Sequence, residues 1–283
     1  MYQPVRVLSV VVKTARRPLL VVRLAESIRS VLQQDLPMID VDDGPSPHPP
    51  EIMAEVGRFP LIKYVVADRG DLGISEGGLI GVNMVRTKYF VNMDDDNVVT
   101  RSWDAAKMTE LLDTSDLTLV GARTDSLLWP AFLEFGYNEH RQPVIFHYKE
   151  SCKAANQGLP FFPPCLRCDL TSNSFIARTR DVLEVGGWSQ ELKVSEHQDL
   201  FLRLKAAGKK VVWCPTFEVN NVHESESDMQ TASEGADKTY YIMRYKRWLR
   251  MKMMFRNRWN VEDYLYIPYN KWKRRSRDWL YDM

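Results

Sequence analysis

The chain has 283 residues, of which 45% are hydrophobic and 27% charged, and its formal net charge is +1. This length allows one large domain or two small ones, and the composition is that of an ordinary globular protein. The small net charge excludes a bulk polyelectrolyte function, and no segment approaches the roughly 18 consecutive apolar residues of a membrane span. The first residues are typical of a strand rather than of a signal peptide, because their apolar run is short and lacks a small-residue cleavage site.

Strands and helices are predicted to alternate along the first part of the sequence. Runs of β-branched residues predict strands, helical spacing of apolar residues predicts helices, and clusters of glycine, proline and aspartate mark turns. The predicted strands are 5–12, 38–41, 61–67, 89–93 and 117–123, and the predicted helices are 19–34, one within 68–87 and one within 100–115. This alternation predicts βαβ units and a mixed, mostly parallel central sheet flanked by helices, which is an α/β fold.

The second part of the sequence is less regular. Residues 124–170 are rich in aromatic residues and prolines, which suits a substrate-binding insertion or an antiparallel edge. A strand at 172–179, a helix at 195–210 capped by Ser195, and two short strands at 211–215 and 217–223 are predicted after it.

Four cysteines occur in the chain, at positions 152, 165, 168 and 214. Cys165 and Cys168 form a CxxC motif, but no second CxxC accompanies it, and a zinc site built from these spacings would be irregular. Buried thiols or a disulfide are therefore expected in place of a metal site.

Three consecutive aspartates, Asp94, Asp95 and Asp96, follow the predicted strand at 89–93. One interpretation is that they cap the helix that begins near Ser102, which accounts for one aspartate but not for three. Alternate residues of an extended chain point the same way, so Asp94 and Asp96 can share a divalent cation while Asp95 points elsewhere. Mg²⁺ and Mn²⁺ prefer such oxygen ligands and keep positions open for phosphates. The carboxyl end of a parallel strand is also where ligands of such sheets bind.

Seven sequence blocks, in collinear order between about residues 5 and 260, carry a resemblance to a known enzyme family. They are VVVKTARRP, VDDGPSP, VRTKYFVNMDDDNVVT, LTLVGAR, SNSFIARTRDVLEVGGW, SEHQDLFLRL and FEVNNVH. This series resembles the GT-A nucleotide-sugar glycosyltransferases, and more narrowly the β-1,4-N-acetylgalactosaminyltransferase (GM2/GD2 synthase-like) group. The resemblance implies a GT-A domain at 1–236, with a Rossmann-like nucleotide-sugar and metal half at 1–123 and an acceptor half at 124–236.

The resemblance also implies an activity. It is the metal-dependent, inverting transfer of a sugar, first of all GalNAc, from a UDP-sugar to a hydroxyl of a glycan or glycolipid acceptor. Mn²⁺ or Mg²⁺ is the implied cofactor, held by Asp94, Asp96 and His223. The residues implied to bind the UDP-sugar are Lys13, Thr14, Arg16, Asp42, Asp43, Asp95, Asn173 and Ser174.

Inverting transfer needs a general base that deprotonates the acceptor hydroxyl. In the inverting GT-A enzymes that the sequence resembles, an acidic pair at the start of a helix provides this base, and the corresponding stretch here is SEHQD. His197 stands where the family usually has its catalytic aspartate, with Glu196 before it and Asp199 two residues on. Histidine titrates near neutral pH, and a carboxylate is equally suitable, so all three residues are candidates. Glu196 could alternatively stabilise the N-terminus of the helix.

Two alternatives to GalNAc transfer stay open. One is the same fold with another donor, such as UDP-GlcNAc, UDP-galactose or a nucleotide-rhamnose. The other is a non-catalytic glycan-binding GT-A scaffold, which the unusual SEH favours and which the retained set of Asp94, Asp96 and His223 argues against.

The C-terminal segment, residues 237–283, is basic and aromatic. From Lys238 onward it holds thirteen Lys and Arg residues against four Asp and Glu residues. Interleaved basic and aromatic residues can hold single-stranded nucleic acid, but no binding motif is present and the rest of the chain is acidic, so no nucleic-acid partner is expected. We expect a helical extension packed on the domain, with its apolar face formed by Tyr241, Tyr245, Trp248 and Leu249. Its arginines can assist diphosphate binding or contact anionic phospholipid headgroups.

The cellular location is left open between two cases. The resemblance implies the Golgi lumen for a trimmed catalytic domain of an animal protein, and the cytoplasm for a chain that is full length.

Overall fold

The computed structural model describes residues 7–15, 17–44, 48–69, 72–124, 130–149, 152, 165–193, 196–222 and 238–267, with backbone alone for 238–248. Its strands are β1 (Leu8–Thr14), β2 (Met38–Asp42), β3 (Ile62–Val66), β4 (Tyr89–Asp94), β5 (Asn97–Val99), β6 (Leu117–Arg123), β7 (Ala131–Tyr137), β8 (Pro143–Lys149), β9 (Leu166–Cys168), β10 (Phe175–Arg178), β11 (Lys210–Asn221) and β12 (Asp263–Ile267). Its helices are α1 (Pro18–Leu32), α2 (Pro50–Gly57), α3 (Gly73–Met84), α4 (Ala105–Asp113), α5 (Thr179–Glu184), α6 (Glu196–Ala206) and α7 (Lys238–Trp259).

Within the described ranges, the central sheet runs in the order β3-β2-β1-β4-β10-β6-β11-β5, and β9 pairs with β11. The first four strands of this order are parallel, β10 is antiparallel to both of its neighbours, and β6 and β11 are parallel. The prediction of a mixed, mostly parallel sheet flanked by helices is confirmed. The two short strands expected at 211–215 and 217–223 are instead one long strand, β11, with a bulge after Cys214.

Two hydrophobic cores lie on the two faces of the sheet. One core packs α1 and α4 against alternate residues of β1, such as Val10 and Val12, and the other packs α3 and α6 against Val11. The helix expected within 100–115 buries Ala105, Met108, Leu111 and Leu112, as its spacing predicted. Thr109 of this helix is also buried.

The segment predicted to be irregular contains an antiparallel pair, β7 and β8, and β12 from the C-terminal segment adds to it in parallel. This three-stranded sheet and α7 lie beside α6. Met251 and Phe255 of α7 are buried, whereas Leu249 is 42% exposed, so the prediction that Leu249 packs on the domain was wrong. The side chains of Tyr241, Tyr245 and Trp248 lie outside the described residues. The proposed division of the chain at residues 236 and 237 stays a prediction.

The cysteines form one disulfide, between Cys165 and Cys214, while Cys152 and Cys168 are buried thiols. Both expected outcomes, thiols and a disulfide, therefore occur. None of the described helices has both the length and the apolarity needed to cross a membrane.

Candidate active site

The carboxyl ends of β1, β2 and β4 meet at one edge of the sheet. In the parallel register Lys13 lies beside Asp94, and Thr14 lies beside Asp42. Residues from three separate parts of the sequence are thus brought together where ligands of such sheets bind. A close approach of α3 completes this edge, because a side chain at Gly77 would overlap the aliphatic part of Lys13.

Asp95 points away from the open edge and is 3% exposed. Thr14 Oγ1 donates to Asp95 Oδ2 at 2.6 Å, and Arg17 donates through Nε at 3.1 Å and through Nη2 at 2.5 Å. Burial raises the pKa of Asp95, while the charge of Arg17 opposes the rise. Asp95, Thr14 and Arg17 therefore fasten the aspartate turn to the end of β1.

Asp94 ends β4, and Asp96 lies in the tight turn before β5. Both side chains are partly exposed, unlike that of Asp95. Burial raises the pKa of Asp94 to about 7, and the charges of Asp96 and Asp95 add to the rise, while a hydrogen bond with Asn173 opposes it. The three consecutive aspartates thus concentrate negative charge at the strand end.

This charge fits a hard divalent cation. Among the residues that the structure describes, no three His, Cys, Asp or Glu side chains form a complete metal site. Asp94 and Asp96 offer carboxylate oxygens, and a cation held by one or two carboxylates keeps positions for phosphate oxygens and water. Bound positive charge would also relieve the repulsion that raises the pKa of Asp94. The third expected ligand, His223, lies outside the described residues, as does Arg16 of the expected nucleotide pocket.

Asp42 and Asp43, which follow one another at the end of β2, have different partners. Asp42 is buried and accepts hydrogen bonds from Gly44 N at 2.7 Å and from the Tyr64 hydroxyl. Its carboxylate also pairs with His48 Nε2 at 2.7 Å. Asp43 accepts from Lys13 Nζ at 2.6 Å and from a backbone N–H at the start of α3. The expected nucleotide-pocket residues therefore form two neighbouring polar networks.

The three candidates for the general base lie on the first turn of α6 in three different environments. Glu196 is 7% exposed, and burial raises its pKa to about 7, with the charge of Asp94 adding to the rise. His197 is buried against Phe201, donates from Nε2 to Thr171 O at 2.6 Å, and burial lowers its pKa to about 4. Glu196 is thus the candidate that interacts with the aspartate cluster.

Asp199 is fully buried and is surrounded by donors. Arg203 Nε donates at 2.9 Å, Trp259 Nε1 at 3.0 Å, and Arg258 Nε lies 3.2 Å from the carboxylate. These contacts join α6 to α7, which favours an anchoring role for Asp199 over proton transfer.

Asn173 and Ser174 precede β10 and contact the aspartate turn. Asn173 hydrogen-bonds with Asp94, and Ser174 Oγ donates to Asn97 Oδ1 at 2.7 Å. Sequence reasoning missed Arg17 and Asn97. The available signal was their polarity, since Arg17 lies beside the expected pocket and Asn97 interrupts an apolar strand directly after the aspartates.

An α/β sheet of this topology, with an aspartate turn at the carboxyl end of one strand, is the fold of the GT-A glycosyltransferases. Residues 9–161, more than half of the chain, match the family described as Glycosyl transferase family 2. The chain belongs to that family. The family resemblance predicted from the sequence is confirmed.

Relatives and solved structures agree with this membership. The chain is 25% identical over 228 residues to Beta-1,4 N-acetylgalactosaminyltransferase 1 of Homo sapiens, covering 73% of this chain and 42% of that protein. It is 28% identical over 182 residues to the Rattus norvegicus protein of the same name, covering 53% and 32%. The chain therefore spans less than half the length of these relatives.

Two solved structures share the fold. The crystal structure of GalNAc-T7 with UDP, GalNAc and Mn²⁺ has a TM-score of 0.58 at 15% identity, over 78% of this chain and 44% of that one. The crystal structure of S. aureus TarS 1-349 has a TM-score of 0.53 at 12% identity, over 76% and 60%. These likenesses concern the fold.

Proposed function

We propose that this protein is a metal-dependent, inverting glycosyltransferase that moves GalNAc from UDP-GalNAc to a hydroxyl of a glycan acceptor. The choice of GalNAc rests on the relatives named N-acetylgalactosaminyltransferase and on the neighbour crystallised with UDP, GalNAc and Mn²⁺. Metal dependence rests on Asp94 and Asp96 at the end of β4.

The observation that carries the proposal is geometric: Asp94 ends β4 beside the carboxyl ends of β1 and β2, and Asp96 lies in the turn that follows. Glu196 lies on a different element, α6, and the charge of Asp94 adds to the rise that burial causes in the pKa of Glu196. A buried carboxylate beside the expected donor site can accept the proton of an acceptor hydroxyl. The group that would take a proton thus lies near the groups that would hold the cation.

In the proposed reaction Glu196 accepts the proton of the acceptor hydroxyl as that oxygen attacks the anomeric carbon. The bond between the anomeric carbon and the phosphate oxygen breaks, and UDP leaves with the bonding electrons. Attack from the face opposite to UDP inverts the anomeric configuration. Mn²⁺ or Mg²⁺, held by Asp94 and Asp96, would stabilise the negative charge on the departing diphosphate. Lys13 and Asp43 border the nucleotide.

The test is release of UDP from a panel of donors in the presence of Mn²⁺. The panel contains UDP-GalNAc, UDP-GlcNAc, UDP-galactose and a nucleotide-rhamnose, and the variant is Glu196→Gln. We expect turnover of UDP-GalNAc, with kcat lowered about 100-fold or more by Glu196→Gln because a general base is lost. Glu191→Gln is the matched control, since Glu191 is exposed and lies five residues before Glu196.

Each result has a definite meaning. Turnover of another donor on the panel in place of UDP-GalNAc would change the proposed donor sugar and leave the proposed reaction class unchanged. No turnover of any donor by the parent would overturn the transferase proposal and favour a non-catalytic scaffold. Full activity of Glu196→Gln would exclude Glu196 as the base, and NMR of the product would contradict inversion if the anomeric configuration were retained.

A further inference from the structure

The side-chain amide of Asn97 holds the aspartate turn closed. Asn97 is 1% exposed, and its Oδ1 accepts from the backbone N–H of Asp94 at 3.2 Å and from Ser174 Oγ at 2.7 Å. Its Nδ2 donates to Asn221 Oδ1 at 2.7 Å and to Asp96 Oδ1 at 3.4 Å. An amide has two acceptor and two donor positions, and all four are used here.

These contacts join the turn to the end of β11. Asn97 of β5 stands opposite Asn221 of β11 in the antiparallel register, and Val222 N donates to Asp96 O at 2.8 Å. The side chain of Asn97 therefore connects both aspartates to the end of β11.

We propose that Asn97 is a positioning residue that sets the geometry of the divalent-cation site through this network. The inference rests on the proposed metal-dependent function. Residues that orient metal ligands typically influence affinity by about 10- to 100-fold, because a ligand that is free to rotate must be ordered on binding. Few other side chains could supply both the acceptor and the donors that this network requires at position 97. Aspartate lacks both donors and adds a like charge beside Asp96, while alanine leaves the backbone N–H of Asp94 and the side chain of Asn221 without this partner.

The experiment measures Mn²⁺ binding directly and does not depend on turnover. Electron paramagnetic resonance reports free Mn²⁺ in titrations of the protein at saturating UDP. The variants are Asn97→Ala, Asn97→Asp and Asn221→Ala, and Asp96→Ala marks loss of the site. We expect Asn97→Ala to weaken Mn²⁺ binding by about 10-fold or more, and Asn97→Asp to bind no better than Asn97→Ala.

The matched control is Thr118→Val. Thr118 is as buried as Asn97, and its hydroxyl donates to Asp181 Oδ2 at 3.1 Å, away from the aspartate turn. We expect this control to lose thermal stability while it keeps the Mn²⁺ affinity of the parent. If Asn97→Ala does not fold, Asn221→Ala carries the test, because it removes the acceptor of Asn97 Nδ2 and leaves the expected nucleotide-binding residues unchanged.

The outcomes separate this inference from the proposed function. Equal Mn²⁺ affinity of the parent, Asn97→Ala and Asn221→Ala would overturn the positioning role while Asp96-dependent binding still supported the donor site. An equal loss of affinity in Thr118→Val would also overturn it, since the effect would then follow from stability. Absence of Mn²⁺ binding by the parent would overturn both.

Discussion

Replacing Arg17 by methionine should destabilise the protein through Asp95. The substitution keeps most of the aliphatic bulk but removes two of the three hydrogen bonds that this carboxylate accepts, at 3.1 and 2.5 Å. Only the Thr14 hydroxyl, at 2.6 Å, remains of those three. Asp95 is 3% exposed, so the loss of these donors leaves a mostly buried carboxylate short of hydrogen bonds.

The size of the effect follows from the burial of the two partners. Removing one partner of a fully buried ion pair costs about 3–5 kcal/mol, because the other charge is left uncompensated. The side chain of Arg17 is 34% exposed, and solvent screening weakens its attraction to Asp95. We therefore expect a loss of about 2 kcal/mol in the free energy of unfolding, or about 5 °C in Tm.

The loss should grow with pH. Burial already raises the folded pKa of Asp95, and removal of Arg17, which opposes that rise, raises it further. A folded pKa above the unfolded value of about 3.9 means that the folded state holds a proton that the unfolded chain has released. Stability then falls as pH rises above about 3.9 toward the folded pKa, so Arg17→Met should lose more at pH 8 than at pH 5.

The assay is urea unfolding followed by tryptophan fluorescence at both pH values. The double variant Arg17→Met/Asp95→Asn is the control, because the buried charge is then absent and the two changes should be strongly non-additive. A loss below about 0.5 kcal/mol for Arg17→Met, the range of ordinary surface changes, would refute the reasoning. The reasoning would also be refuted if Arg17→Met lowered the free energy of unfolding equally in the parent and in the Asp95→Asn variant.

Three further predictions concern stability. Burial raises the pKa of Asp40 well above its usual value, and the charge of Asp42 adds to the rise. Asp40 should therefore destabilise the fold increasingly as pH rises above about 3.9. We expect the Tm of Asp40→Asn to increase relative to that of the parent between pH 5 and pH 8. Reduction of the disulfide between Cys165 and Cys214, which are 49 positions apart, should cost about 4 kcal/mol in urea unfolding. Asp199→Asn should cost about 2–3 kcal/mol and speed hydrogen exchange in α7, because Arg203 and Arg258 lose the charge of their partner while solvent screens Arg258, which is 37% exposed.

Each of these predictions has a contradicting result. Parallel pH profiles for the parent and Asp40→Asn would show that the carboxyl is not the source of the pH dependence. Unchanged stability after complete reduction would exclude a structural contribution of the disulfide. For Asp199→Asn, protected exchange in α7 together with lost turnover would favour a catalytic role over anchoring.

Local patterns sufficed for most of the sheet. β1, β4 and β6 are short runs of mostly buried β-branched, aromatic and other apolar residues, and their shortness distinguishes them from helices. The position of the aspartates at a strand end followed from that pattern. β5 has three residues, which is too short for any periodicity to indicate, so the turn that holds the aspartates could not be predicted. The pairing of β12 with β8 joins segments more than one hundred positions apart, and no local signal specifies such a partner.

The candidate site was predictable in its residue types but not in their partners. Glu196, His197 and Asp199 are equivalent as sequence candidates, and tertiary contacts distinguish them. Asp199 accepts from Trp259, which lies 60 positions further along the chain, and His197 donates to Thr171, which lies 26 positions before it. The assignment of the base to Glu196 stays a prediction until its variant is measured.

The most direct test of the account is calorimetric titration of the protein with UDP, in Mn²⁺ and in EDTA. The parent and Asp96→Ala are compared, because Asp96 belongs to the proposed cation site and its side chain is partly exposed. We expect UDP binding that requires both Mn²⁺ and Asp96. Equal UDP binding in EDTA would contradict metal dependence, and absence of UDP binding under every condition would contradict the assignment of the donor site.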